Sequence, residues 1–206
     1  MRISRGITRK VMSVAAVATA VASIWAVAAA TATPPVRTTA GSGAQSALVS
    51  DLALARGATA KYVSNLQLAK ADGYGIITRM IPNMGYHYMN GTVKGFDLRK
   101  PPILVYEHTG TGWQLGALEW VFTAKPAHPP IPGARYGVFG AGCHYTDGTF
   151  APAETQDACP KTSPDTGAAF NFWHPQLITL HVWLWYPNPN GLFASTNPLV
   201  AAYNHG

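Results

Sequence analysis

The segment from Leu180 to Val200, LHVWLWYPNPNGLFASTNPLV, constrains the fold of this chain more than any other part of the sequence. Successive side chains of a strand point to opposite faces, so His181 and two tryptophans share one face while three aliphatic residues share the other. Proline, asparagine and glycine then end the strand, because proline donates no amide proton and Asn-Gly readily takes positive φ. The segment predicts a strand that is buried on both faces and holds one imidazole among large rings.

The composition is that of a folded domain with few charges. The chain has 206 residues, of which 48% are hydrophobic and 12% are charged. Such a sequence can bury a core, which argues against general disorder. Its length suits a single domain.

Residues 1–32 have the order of a secretory signal. Four basic residues precede an uncharged run rich in alanine and valine, Val11–Ala30, and a zone of small residues follows. This order predicts a cleaved signal peptide and a secreted or cell-envelope location. The alternative is an uncleaved anchor, because the run is long enough to span a bilayer, but its alanine content makes it a weak transmembrane segment. We expect no stable membrane span after cleavage.

The net charge of the chain belongs mainly to this first segment. The sequence carries 15 basic and 9 acidic residues, a formal net charge of +6. Without the four basic residues of the predicted signal, 11 basic and 9 acidic residues remain, a net charge of +2. The remainder contains no cluster of lysine or arginine, so we expect no nucleic-acid partner.

Cys143 and Cys159 are the two cysteines of the sequence. In an oxidising compartment, an even pair at this spacing predicts a disulfide that closes a medium loop. Such a bond contributes roughly 3 kcal/mol through loop entropy. The alternative is metal ligation by Cys143 with its neighbour His144. Adjacent residues of a strand point to opposite faces, so this alternative is weaker.

The chain after the signal divides into a linker and one domain. Residues 33–48 are rich in Pro, Thr, Gly, Ala and Ser, which predicts a flexible linker. Ser50 offers a helix cap, and apolar residues at helical spacing continue to Lys70. We assign residues 49–206 to a single globular α+β domain.

Alternating residues and turn signals predict strands after this helix. Met84–Met89 precedes an Asn-Gly turn, and Ile103–Glu107 and Trp113–Phe122 flank a turn rich in glycine and threonine. The long section that contains the loop from Cys143 to Cys159 and reaches Pro164 predicts an irregular surface excursion held by the disulfide. With the strand at Leu180, these elements predict an α+β fold in which one N-terminal helix packs on a curved antiparallel sheet or a small open β-barrel.

Four side chains in these strands have the chemistry of metal ligands. His87 and His181 are each central in an apolar strand, and Glu107 and Glu119 are carboxylates of an otherwise apolar hairpin. A buried ionised carboxylate is costly unless it is paired, hydrogen-bonded or bound to a cation. Nitrogen and oxygen donors of this kind bind zinc, manganese, iron or copper. We therefore predict a site for a divalent transition metal at these four residues.

Each of the four residues also has a structural interpretation. A single buried histidine is more often a hydrogen-bonded core residue than a ligand, and a glutamate can pair with an arginine such as Arg79, Arg99 or Arg135. The hairpin register decides whether Glu107 and Glu119 share a face, because a slip of one residue moves a strand's side chains across the sheet. The sequence leaves that register open.

Three functions agree with these features. The first is an exported metal-binding protein, which as an enzyme would use the ion as a Lewis acid or redox centre. The second is a non-catalytic binding module with an aromatic-lined pocket, built from Trp and Tyr, for a small apolar ligand. The third is a structural protein of the cell envelope. The sequence contains no compact catalytic motif such as HExxH or G-x-S-x-G, so it names no catalytic residue and leaves open whether the protein is an enzyme.

The sequence resembles a family of uncharacterised exported bacterial proteins with motifs of the form GxHY, LVYE, LxxxE followed by Tyr or Trp, and LHVWLWxxNPxGxF. The matching pieces are Gly85–Asn90, Pro101–Glu107, Leu115–Trp120 and Leu180–Pro198. The resemblance covers most of the chain after the linker. It implies that the four candidate ligands lie within the motifs that define the family, and it implies no particular activity. The loop between the two cysteines departs from the family pattern.

Overall fold

The structure is a computed structural model of the chain, and it describes residues 39–201. The predicted signal peptide over residues 1–32 lies outside the described residues, as do positions 33–38 of the predicted linker. Within the described part, no helix combines the length and the apolar composition needed to cross a membrane.

The helices lie mainly at the start of the described chain. Helix α1 spans Thr39–Thr59 and continues into a 3-10 turn at Ala60–Tyr62, helix α2 spans Leu66–Ala71, and helix α3 spans Pro198–Ala201. The sequence predicted one continuous helix where α1 and α2 are separate. Asn65 makes the difference, because its side-chain oxygen accepts a hydrogen bond from the N–H of Leu68 at 2.9 Å and begins a new helix.

Helix α1 also begins earlier than its sequence predicted. It overlaps the predicted linker from Thr39 onward, although residues 41–47 are exposed to solvent. Alanine has the highest helix propensity, and extending a helix costs less than nucleating one. The C-terminal half of α1, in which Ala55 is buried, is held by packing, and the helix extends from it toward the exposed N-terminal residues.

Strands make up most of the remaining domain. Their bounds are β1 Gly75–Ile81, β2 Gly85–Met89, β3 Ile103–Thr109, β4 Gly112–Phe122, β5 Gly137–Phe139, β6 Gly142–Tyr145, β7 Phe150–Pro152, β8 Phe170–His174 and β9 Leu177–Val182. Six of them form a curled antiparallel half-barrel in the order β1-β2-β3-β4-β9-β5. With the N-terminal helix, this sheet confirms the predicted α+β fold.

The register of the β3–β4 hairpin fixes the orientation of the two glutamates. Ile103 of β3 pairs with Glu119 of β4, and Glu107 stands at even spacing from Ile103 along β3. Both carboxylates therefore point to the same face of the sheet. A bulge at Gly116 interrupts the pairing between them.

The two faces of the half-barrel differ in what covers them. Helices α1 and α2 pack on one face and seal its apolar residues, which include Leu104, Tyr106, Leu118, Trp120, Leu180 and Val182. The opposite face carries a smaller apolar cluster of Ile77, Ile103, Val105, Ala117, Trp183 and Val200. By strand alternation this second face also carries both candidate histidines and both glutamates, and we call it the polar face.

A second sheet of three antiparallel strands, in the order β7-β6-β8, adjoins the half-barrel. The backbone N–H of Arg79 in β1 donates to the carbonyl of Gly148 at 2.7 Å, which joins the two sheets. Cys143 of β6 is bonded to Cys159, which confirms the predicted disulfide.

The prediction of an irregular surface excursion between the cysteines is wrong for its first half, which forms β6 and β7, and right for residues 153–159, which are not buried and hold one 3-10 turn at Gln156–Ala158. All four residues of β6 are buried, and Gly148, with φ of +83°, closes the turn from β6 to β7. A Cβ at Gly148 would lie 2.8 Å from the side chain of Ile76, so only glycine allows this approach to β1.

Candidate metal centre

Glu119 and His181 lie directly opposite each other on the neighbouring strands β4 and β9. Their side chains point to the polar face, where Oε1 of Glu119 is 3.5 Å from Nε2 of His181. Both residues are buried, with 4% and 1% of their surface exposed. The strand pairing therefore fixes one acid and one imidazole side by side away from bulk solvent.

His87 reaches the same point from β2. Strand β3 separates β2 from β4, a spacing of about 9.5 Å for two strands, yet Nε2 of His87 is 3.6 Å from Oε2 of Glu119. The curl of the sheet brings the side chains of β2 and β4 together on the polar face. We call His87, Glu119 and His181 the triad.

The two imidazoles of the triad are held in different ways. Nδ1 of His87 shares a hydrogen bond of 2.7 Å with Oγ1 of the buried Thr78, which orients Nε2 toward Glu119. In metal-binding histidines, the ring nitrogen that does not bind the metal usually makes such a hydrogen bond, which orients the ring. Among the described residues, neither ring nitrogen of His181 has a hydrogen-bond partner. Its ring is instead stacked at 14° on Trp183, with 6.4 Å between the ring centres.

Burial leaves the triad without charge near neutral pH. It raises the pKa of Glu119 to about 8, and it lowers the pKa of His181 to about 4. The pKa of His87 falls to about 3, first through burial and then through the nearby His181. The contacts between the acid and the imidazoles are therefore not ion pairs at pH 7, because burial opposes the charged form of each group.

The spacing of the triad suits a bound cation better than direct hydrogen bonding. The separations of 3.5 and 3.6 Å exceed usual hydrogen-bond lengths. With metal–ligand bonds of about 2.0–2.2 Å, two corners of a tetrahedral site are about 3.4 Å apart. One donor atom from each residue can be chosen so that all three lie within 4.8 Å of one another. The three residues therefore fit the ligand set of one transition metal ion.

Glu107 lies on the same face but apart from the triad. Its carboxylate is fully buried, and neither oxygen has a hydrogen-bond partner within residues 39–201. A Cβ added at Gly116 would lie 3.2 Å from its Oε1 and 3.3 Å from the ring of Trp183, so Glu107 sits at the bulge. Burial raises the pKa of Glu107 to about 7. The structure thus brings together three of the four predicted ligands and leaves Glu107 separate.

A cavity of about 380 Å³ opens beside the triad. His87 and Glu119 contribute to its wall, and the rest comes from both sheets, from the turn between β1 and β2 and from Ser195 and Thr196 after β9. The lining includes Ile77, Met84, Met89, Phe139, His144 and His174. The lining within the described chain contains no lysine, arginine or aspartate. Two of the three triad residues therefore border a partly open, mainly apolar space.

Sequence reasoning assigned no site role to several polar residues of this region, among them Thr78, which lies in the apolar piece GIITRMI, and His174. It considered His144 only as the weaker alternative of a metal ligand beside Cys143, which the disulfide occupies. One signal was available for His144. Asp147-Gly148 between alternating residues predicts a tight hairpin, which would have placed His144 on a strand.

Comparisons of the chain with models of protein families, with curated proteins and with solved structures found no match. The resemblance to a family of exported bacterial proteins therefore stays a prediction.

Proposed function

We propose that this protein binds one divalent transition metal ion through His87, Glu119 and His181. The supporting observation is the convergence of three buried donor groups on one point, at separations too long for hydrogen bonds. Two imidazoles and one carboxylate form the donor set of catalytic zinc sites and of non-haem iron(II) sites. A bound cation would offset the cost of an ionised Glu119 in this buried position.

The proposed site keeps a coordination position for another molecule. Three protein ligands do not complete a four-coordinate or six-coordinate shell. Because His87 and Glu119 also line the cavity, the remaining position faces that space. An open position of this kind is where a metal ion activates water or a substrate as a Lewis acid or redox centre.

We also propose that the protein acts outside the cytoplasm, as a secreted or cell-envelope protein. The order of basic, apolar and small residues over positions 1–32 supports export. The disulfide between Cys143 and Cys159 is compatible with an oxidising compartment.

A second candidate function is a binding module that uses the cavity without a metal. Its volume of about 380 Å³ falls within the range of small-molecule sites, roughly 300–1,000 Å³. The aromatic side chains in the described lining are phenylalanine and histidine rather than the tryptophan and tyrosine that the sequence suggested.

Elemental analysis of the purified protein tests the metal proposal. After dialysis, we expect about one zinc, iron, manganese or copper ion per chain. Glu119→Gln and His181→Asn remove one ligand each and should lose the ion while they keep the circular dichroism of the wild type. Glu154→Gln and His128→Asn are matched controls, because both residues are exposed, and they should keep it.

The proposal fails if the folded wild type contains no such ion and takes none up when each is supplied in turn. It also fails if metal content is the same in all five proteins. The first result would favour the binding module, and the second would place the ion outside the triad.

A further inference from the structure

Two more histidines face the cavity from the second sheet. His144 of β6 and His174 of β8 are on adjacent antiparallel strands, with 5.0 Å between their ring centres. They are 1% and 8% exposed, and both belong to the cavity wall. The triad belongs to the half-barrel, so the cavity has imidazoles on two walls.

Hydrogen bonds fix the tautomer of both rings. Nδ1 of His144 donates to the carbonyl of Ile77, and Nδ1 of His174 donates to the carbonyl of Pro175, each at 2.6 Å. A carbonyl only accepts, so the proton of each neutral ring is on Nδ1. Nε2 of each ring is then a lone-pair acceptor, and that of His174 is buried without a partner. An unpaired buried acceptor costs free energy that a donor from a ligand can recover.

A second metal ion does not fit these residues. The cation-binding group found among residues 39–201 is the triad, and neither His144 nor His174 belongs to it. Two imidazoles with no third ligand are too few for a zinc or iron site. The side chains that surround the pair are apolar rings: Phe139 lies 5.2 Å from His174, and Phe172 lies 4.5 Å from His144 between ring centres.

We propose that the cavity binds a small, uncharged, mainly apolar molecule whose hydroxyl group donates to Nε2 of His144 or His174, as a phenol does. The apolar wall takes the body of the ligand, and the two acceptors select for a donor. A carboxylate or phosphate finds no lysine or arginine in the described lining, and it meets lone pairs that repel it. This recognition does not need the metal, so it can be tested in protein stripped of ions.

The test uses metal-free full-length protein and three probes with the same body. They are 4-ethylphenol, which has the donor, 4-ethylanisole, in which a methyl group replaces the donor hydrogen, and 4-ethylbenzoate, which is charged. Calorimetry or ligand-detected NMR gives the dissociation constants. We expect 4-ethylphenol to bind about tenfold more tightly than 4-ethylanisole, because one buried hydrogen bond changes the dissociation constant by about this factor. We expect 4-ethylbenzoate to bind more weakly than both.

Two double changes separate recognition from packing. Converting both His144→Phe and His174→Phe keeps the rings but removes the acceptors, and it should reduce the tenfold ratio to about one. Converting both His108→Phe and His128→Phe alters exposed histidines outside the cavity lining and should leave the ratio unchanged. If the first pair does not fold, His174→Phe alone should still lower the ratio.

Equal binding of 4-ethylphenol and 4-ethylanisole by the wild type would overturn the proposal, as would binding of neither. Preference for 4-ethylbenzoate would overturn it too, because it would show a positive charge in the cavity. These results leave the metal proposal untouched, since no metal is present in the assay.

Discussion

Glu119 and His181 pair across β4 and β9 with 3.5 Å between Oε1 and Nε2. Both side chains are buried, and His181 has no hydrogen bond to either ring nitrogen. An acid and a base that are this close without bonding leave room for a third group between them. His87 approaches the same space from β2, and the three donor groups together could hold the cation that we propose.

Metal binding should stabilise the protein through Glu119. At an ion concentration about 100 times the dissociation constant, the free energy of unfolding rises by about 2.7 kcal/mol. For a domain of this size that corresponds to a rise in Tm of about 5–10 °C. Glu119→Gln should abolish the rise, because an amide is a poor metal ligand, while Glu154→Gln should preserve it. Differential scanning calorimetry with and without the ion measures both, and an unchanged shift in Glu119→Gln would exclude this residue as a ligand.

Proton release on metal binding should come from one group. The pKa of Glu119 is raised to about 8, so it holds a proton at pH 6 to 7 that the ion must displace. With pKa values lowered to about 3 and 4, His87 and His181 are already unprotonated there. The affinity for the metal ion should therefore fall about tenfold for each unit by which the pH is lowered from about 7 to about 5. Calorimetry in buffers of different ionisation enthalpy counts the protons, and three protons per ion would contradict the neutral state of the histidines.

Glu107 should make the protein less stable as pH rises. Its folded pKa is raised from 4.5 to about 7, so between these values the folded state holds a proton that the unfolded state has lost. Stability due to this group is present below pH 4.5 and is lost as pH rises through 7. Glu107→Gln should match the wild type at about pH 4 and exceed it by about 2 kcal/mol at about pH 8.

Urea denaturation at several pH values measures this difference. Glu154→Gln, which alters an exposed carboxylate, is the matched control and should follow the wild type at every pH. A Glu107→Gln variant that is less stable than the wild type at pH 8 would contradict this prediction. It would show that the Glu107 carboxylate makes a stabilising interaction in the folded protein.

Gly85 should be intolerant of substitution, because it begins the strand that carries His87. Its φ is +101°, and an added Cβ would lie 2.5 Å from the carbonyl oxygen of Tyr106. Gly85→Ala should lower the free energy of unfolding by about 3 kcal/mol and weaken metal binding by displacing β2. Gly91→Ala, where no atom lies within 4 Å, should change stability by less than about 0.5 kcal/mol. Chemical denaturation compares the two, and equal stabilities would contradict the proposed role of Gly85.

Local pattern was sufficient to predict the elements that lie close together in sequence. The strand at β2 and the β3–β4 hairpin follow from alternation and from glycine, proline and asparagine turns. The strand predicted from Leu180 is β9, but it ends at Val182, and Trp185 does not share the face of His181, because its Nε1 donates to Oγ1 of Thr59 in α1. The disulfide followed from the number and spacing of the cysteines. Each of these signals acts within a short window of the chain, where sequence reasoning is strongest.

Which residues come together in the site depends on long-range geometry, and short sequence patterns contain no information about that geometry. His87 and Glu119 meet because the sheet curls across β3, whereas Glu107 lies four residues along β3 from Ile103, the partner of Glu119. Four strand residues span about 13 Å, which keeps Glu107 away from the triad. His144 was hidden because a short, glycine-bounded strand resembles a loop in sequence. Curvature and bulges arise from the packing of the whole sheet.

The position of β9 has a consequence for how the protein matures. This strand comes late in the chain, yet it is inserted between β4 and β5, and it supplies the third member of the triad. A ribosome that has synthesised His87 and Glu119 has not yet made His181. The proposed ion is therefore acquired after translation has passed β9, so loading depends on the metals available to the completed polypeptide.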